Sequence, residues 1–299
     1  MRRAYYTLDV FASEPLAGNP LAVVLDTQGL DEARMQRIAR EFNLAETVFV
    51  RDPRDPVNTA ALRIFTPSRE LPFAGHPTVG TAVLLAHLRA RDMLRGQDVR
   101  VVLEEKVGPV VCVARHRRGE AMAAYFHLPK LPEFLDPAPD NATLAADLGL
   151  EESDIGFDAH RPAVYGAGTP NLFVPVKGLD ALARVKPDRK HWCADGGPCV
   201  YLYTREVVDS GSHFHARMFA SGWGIYEDPA TGSAAAALAG ALMAYEPPAD
   251  GETMYLIEQG FEMGRPSQIS LGLKVESGRL VDATIGGSVR LICEGTIDV

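Results

Sequence analysis

The sequence predicts an α+β fold of two similar halves, each a strongly curved sheet or barrel around one buried helix. Three observations predict it. A long segment occurs twice at an offset of about 150 residues in a chain of 299, most apolar runs are short and bounded by Gly, Pro or Asp, and two helical segments lack a polar face.

The repeated segment is RIFTPSRELPFAGHPTVGTAVLLAHL from Arg63 and RMFASGWGIYEDPATGSAAAALAGAL from Arg217. Each copy begins Arg-x-Phe in a strand-like run and crosses a loop to an X-Pro pair, His76-Pro77 or Asp228-Pro229. Each then continues through Gly-Thr-Ala or Gly-Ser-Ala into a helix. A second pair, GNPLAVVLDTQGLD from Gly18 and GTPNLFVPVKGLD from Gly168, keeps the same offset. Domain duplication explains both pairs; the competing explanation is two unrelated strand-loop-helix units sharing helix-start chemistry. The halves are expected at residues 1–122, joined by the final strand at 288–299, and at residues 123–287.

Strands are expected at Tyr5–Phe11, Ala22–Leu25, Val99–Leu103, Val110–Ala114 and Ala123–Leu128. Between the second and third of these, Asp31–Phe42 reads as an amphipathic helix on an outer surface, with Met35, Ile38, Ala39 and Phe42 as its apolar stripe. The segments after Pro77 and Pro229, TVGTAVLLAHL and ATGSAAAALAGALMA, are apolar or small on nearly every face and so must be enclosed. Both are shorter than the ~20 residues a bilayer crossing needs. Gly232, Ala234 to Ala237 and Gly240 would let the sheet approach the second helix closely.

Net charge is -9 with acidic and basic residues interspersed, which excludes the basic stripe that nucleic acid requires. MRRAYYTLDVF has no apolar signal region, so a cytoplasmic protein is expected, with no membrane partner. Cys112, Cys193, Cys199 and Cys293 show no CxxC spacing and are read as reduced thiols. His191, Cys193 and Cys199 lack a fourth ligand, so no metal is expected.

Each enclosed helix presents unpaired amides and the positive end of its dipole at the repeated loop, which suits an anion. Thr78, Gly80, Thr231, Gly232 and Ser233 would serve such a site, or would merely cap the helices. The residue before a proline is biased away from helical geometry, which places His76 and Asp228 on the loops. Glu46 follows the amphipathic helix and precedes an apolar strand; taken alone, such a residue is more often a solvated turn residue. Together Glu46, His76, Asp228 and the two helix ends make a proton-transfer site. No nucleophile elbow, Walker loop or dinucleotide fingerprint occurs, so chemistry without a cofactor follows.

DVFASEPLAGNPLAVV from Asp9, EFNLAETVFV from Glu41, RIFTPSRELPFAGHPTVGTA from Arg63, GIYEDPATGSAAAALAGAL from Gly224, EQGFEMGRPS from Glu258 and IGGSVRLICEG from Ile285 together resemble the PhzF-like phenazine biosynthesis family. The resemblance spans nearly the whole chain. It implies the diaminopimelate epimerase-like fold, a homodimer, and a cofactor-independent isomerase acting on a small carboxylate such as trans-2,3-dihydro-3-hydroxyanthranilate, held between the halves. It further implies Glu46 as acid and base, with His76, Asp228 and Ser233 binding the substrate and tuning its protonation, and Gly75 and Gly232 as backbone donors. The paired cysteines of racemases with this fold have no counterpart beside His76 and Asp228, and Ala45 stands where the family often has Ser. The rival readings are a non-catalytic metabolite-binding or interaction protein, which needs no shuttle carboxylate, and a hydrolase using Ser233, which sits on no strained elbow.

Overall fold

A computed structural model describes residues 1–186, 197–221 and 225–299. His191, Cys193 and Gly224 lie outside the described residues. The chain divides into two units, Met1–Pro129 with Gly286–Val299, and Lys130–Ile285.

In the first unit β1 (Arg2–Val10) pairs antiparallel with β2 (Asn19–Val24). Gly18 permits the turn between them, because its φ is +66° and a Cβ there would collide with the Val10 carbonyl. Asp31 caps α1 (Glu32–Phe42), its carboxylate accepting from the Arg34 amide at 2.7 Å. Met35, Ile38 and Ala39 of α1 pack on Val24, Phe49 and Phe65, so the predicted stripe faces the sheet.

The chain continues through β3 (Glu46–Arg51), parallel to β2, then β4 (Ala60–Phe65), antiparallel to β3, with the two-residue β5 (Glu70–Leu71) beside it. After α2 (Gly75–Arg89) and the single-turn α3 (Arg91–Leu94) come β6 (Val99–Glu105), parallel to β4, and β7 (Gly108–Arg115) and β8 (Met122–His127), each antiparallel to its predecessor. The final strand pairs with β1 from Val10↔Val289 to Arg2↔Asp298 and also with β8. The pairings therefore return to their start, and the mixed sheet closes into a barrel. This closure keeps β8 in the first unit, and the chain leaves that unit at Pro129 rather than at residue 122. Gly75 through Ala86 of α2 are all buried, with β1, β2 and β3 and also β6, β7 and β8 packed against the helix.

The second unit holds β9 (Glu133–Pro137), α4 (Asn141–Leu148), β10 (Ala163–Gly166), β11 (Pro170–Pro175), α5 (Leu179–Arg184) and β12 (Cys199–Thr204). Then follow β13 (Phe214–Ala220), β14 (Ile225–Asp228), α6 (Gly232–Tyr245), β15 (Gly251–Gln259), β16 (Ser267–Glu276) and β17 (Arg279–Asp298), whose later part is the strand that closes the first barrel. Its pairings repeat those of the first unit in order: β10 with β11 antiparallel, β11 with β12 parallel, β12 with β13 antiparallel, β13 with β15 parallel, β15 with β16 antiparallel. β14 branches from β13 as β5 does from β4, and α5 and α6 interrupt the order where α1 and α2 do. Strand pairing thus carries the duplication through segments whose sequences have diverged.

The repeated Arg-x-Phe has a structural cause. Arg63 on β4 makes a bidentate pair with Glu70 on β5, at 2.7 and 2.6 Å, and lies over the Phe65 ring. Arg217 on β13 does the same with Glu227 on β14, at 2.8 and 3.0 Å, over Phe219. In each unit the clip fixes the short strand that delivers the chain to its apolar helix.

α6 packs against β9, β10, β11 and β16 and is buried at nearly every position from Gly232 to Leu242. A Cβ on Gly240 would meet Cδ1 of the buried Tyr165 ring at 2.6 Å. Gly240→Val is therefore expected to destabilise the protein by about 1–3 kcal/mol through overpacking, read as a lowered denaturant midpoint. Among the described residues no helix is long and apolar enough to cross a membrane.

Candidate active site

GHPT opens α2. Its N-cap is Ala74, so His76 and Pro77 are the second and third helical residues and do not lie on the loop. The local bias against helix before proline is overridden here: Pro77 falls in the first turn, where a missing N–H costs no hydrogen bond, and the helix is packed on every side. Asp228 differs, ending β14 three residues before Thr231, the N-cap of α6.

Glu46 opens β3, paired with Leu21 of β2, and is 8% exposed; His76 is 4% exposed. Nε2 of His76 lies 3.2 Å from Oε2 of Glu46. Burial depresses the His76 pKa to about 3, so a neutral imidazole faces the carboxyl group and the contact is not an ion pair at neutral pH. The amides of Gly75 and His76 precede the first intrahelical bond, from Thr78 N to Ala74 O at 3.2 Å, and so have no acceptor within the helix. An imidazole and a carboxyl group thus meet beside a helix start whose first amides have no acceptor within the helix.

The Thr78 side chain does not join them. It is fully buried, and its hydroxyl lies 2.7 Å from both the Ala74 carbonyl and Oε1 of Glu105, the last residue of β6. The expected role of Thr78 as a donor at the helix mouth is corrected to an internal one.

In the second unit the half-buried Asp228 accepts from the Thr231 hydroxyl at 2.5 Å. Gln259, at the end of β15, donates to the Asp228 carbonyl at 2.7 Å and to Thr231 Oγ1 at 3.0 Å, and accepts from the Thr231 amide at 3.2 Å. Thr231 is therefore a link between Asp228 and Gln259, with no capping bond of its own to the helix. Gly232 and Ser233 form the first turn of α6, Ser233 half-buried. Burial, and then the charge of Asp228, push the Tyr201 phenol far above its ordinary pKa. Glu105, Gln259 and Tyr201 were not identified from sequence; Gln259 does lie within EQGFEMGRPS, one of the segments carrying the family resemblance.

Among the described residues Cys112, Cys199 and Cys293 form no disulfide with one another. Among the described residues no group of three or more His, Cys, Asp or Glu could hold a metal ion.

Known proteins match along the whole chain. An uncharacterised isomerase of Mesorhizobium japonicum is 49% identical over 99% of this chain and 98% of its own. The trans-2,3-dihydro-3-hydroxyanthranilate isomerase of Pseudomonas aeruginosa is 36% identical over 97% and 98%. The crystal structure of the Bacillus anthracis phenazine biosynthesis protein of the PhzF family aligns over 100% of both chains with a TM-score of 0.88 at 29% identity. A closed mixed barrel shared at full length with such relatives makes this chain an isomerase. The profile of the phenazine biosynthesis-like proteins, PhzC-PhzF, matches residues 8–295, and the chain belongs to that family.

Proposed function

We propose that this isomerase moves a proton within a small carboxylate of the trans-2,3-dihydro-3-hydroxyanthranilate kind, Glu46 taking the proton from one atom and returning it to another. The observation that carries this reading is the buried Glu46–His76 contact of 3.2 Å at the first turn of α2. A shuttle carboxylate must hold and release a proton in one cycle. An imidazolium beside it would pin it in the ionised form, whereas a neutral imidazole brings no positive charge to it and can relay a hydrogen bond.

The Gly75 and His76 amides and the dipole of α2 supply the counter-charge for the substrate's carboxylate. Gly232, Ser233 and the Asp228 carboxylate are the binding groups that the start of α6 offers in its own unit. Burial of the first turn of α2 would keep its amides away from bulk water, so that they act more strongly on an anion. Ala45 offers no hydroxyl, so the reaction class is proposed more narrowly than the substrate.

The test is incubation in deuterated water with dihydro-hydroxyanthranilate and a panel of small amino and hydroxy carboxylates, followed by NMR of the C–H signals. Deuterium entering a carbon of one of them, or its isomerisation, is the expected result. Binding of panel members without exchange into any would replace the isomerase reading by that of a metabolite-binding protein.

A further inference from the structure

We propose that Glu105 is a positioning residue of this site: a buried carboxylic acid, neutral in the working enzyme, that donates its proton to Thr78 and fixes the first turn of α2 with no negative charge beneath it. Its consequence for substrate depends on the function proposed above, in which that turn receives a carboxylate.

Hydrogen counting comes first. Thr78 Oγ1 lies 2.7 Å from the Ala74 carbonyl oxygen and 2.7 Å from Glu105 Oε1. A hydroxyl has one hydrogen to give. Were Glu105 ionised, both neighbours would be pure acceptors, and one contact would set lone pairs against each other at hydrogen-bond distance. With the proton on Oε1, Glu105 donates to Thr78 and Thr78 donates to Ala74, and both contacts are bonds.

The surroundings agree. Glu105 is 8% exposed, and Oε2 is buried with no hydrogen-bond partner among the described residues, which a neutral acid tolerates far better than an anion. Among the described residues no cation compensates it there: Lys106 pairs with Glu70, and the neighbouring Glu104 holds Asn58 and the Arg54 and Asp55 amides. The titratable group acting on it from β7 is Cys112, a buried thiol whose own pKa is raised by burial and then by Glu105. Burial raises the Glu105 pKa to about 8.

Ionisation of Glu105 would draw the Thr78 hydrogen away from Ala74 and place a negative charge one turn from the Gly75 and His76 amides. Both changes weaken the hold on an anion. The linkage has a definite sign. The folded-state pKa lies above the ordinary value, so the native state binds more protons between about pH 4.5 and about pH 8 and loses stability as pH rises through that window. Glu105→Gln keeps a donor to Thr78 and cannot ionise.

Unfolding midpoints of the wild type and E105Q should therefore diverge in favour of E105Q from about pH 5 to about pH 8 and run parallel above it; a pH-independent difference overturns the assignment. Calorimetry with anthranilate, an aromatic carboxylate ionised throughout the alkaline range, should show wild-type affinity falling several-fold between about pH 7 and about pH 9. E105Q should hold its affinity over that range, and an equal fall in both proteins overturns the effect on binding. Failure of anthranilate to bind either protein at any pH counts against the proposed carboxylate site, while the midpoint series still decides the state of Glu105. Should E105Q not fold, infrared titration of the wild type replaces it. A protonated-carboxyl band that disappears as pH passes about 8 supports the assignment, and absence of that band at neutral pH overturns it.

Discussion

Glu46→Gln is expected to lower kcat on the order of 10²- to 10⁴-fold, the contribution of one positioned general acid–base group, with a much smaller change in KM. The amide matches the carboxylate in size, and β3 keeps its backbone pairing to Leu21, so the fold should be retained. What disappears is the group that carries the proton out and back. The measurement is turnover of the substrate found by deuterium exchange, with circular dichroism of both proteins to confirm equal folding. Wild-type turnover in the Gln variant would remove Glu46 from the chemistry.

The duplication was legible because helix-start signals are local: an X-Pro pair, small residues and an apolar run follow one another within a few residues in both copies. Strand partners are not local. Ala123–Leu128 reads as a strand from its composition, but that this strand, Met122–His127 in the structure, closes the first barrel against the final strand depends on residues far along the chain, so the division expected after residue 122 falls seven residues before the first unit ends at Pro129. Glu46 and His76 were legible as motif residues, whereas their 3.2 Å contact depends on how α2 and β3 pack. The rule for residues preceding proline misplaced His76 because it is a local preference and the burial of α2 outweighs it.

The burial of Glu105 has a signal in the sequence. Along β6, Arg100 and Glu104 alternate with the buried Val99, Val101, Leu103 and Glu105, so the period of two assigns Glu105 to the inner face. The adjacent Glu104 and the buried Val102 obscure that phase.

His215→Leu is expected to destabilise the protein by about 3–5 kcal/mol, the cost of leaving a buried charge without its partner, against a total stability of about 5–15 kcal/mol. His215 on β13 stands in register with Glu258 on β15, both 1% exposed. Its Nδ1 lies 2.6 Å from Glu258 and its Nε2 3.1 Å from Glu262. Burial pulls the imidazole toward neutrality, but the hydrogen bonds to Glu258 and Glu262 outweigh it and raise the pKa to about 9. Both carboxylates are held below their ordinary values against the opposing effect of burial, His215 being the first lowering contribution for each.

Leu preserves bulk and, among the described residues, leaves the Glu258 carboxylate the Val208 and Asp209 amides as partners. Because the imidazole pKa is raised above its unfolded value of 6.5, its contribution is complete below about pH 6.5 and is lost as pH rises through about 9. The carboxylates, with lowered pKa, contribute above their ordinary range and lose that contribution in acid. The gap between wild type and His215→Leu in denaturant unfolding should thus be widest between those limits and narrow on both sides. A gap below about 1 kcal/mol at every pH would reduce the triad to the worth of a surface pair. The consequence reaches the candidate site through one peptide bond, since Glu258 precedes Gln259, and Gln259 holds both Asp228 and Thr231 at the start of α6.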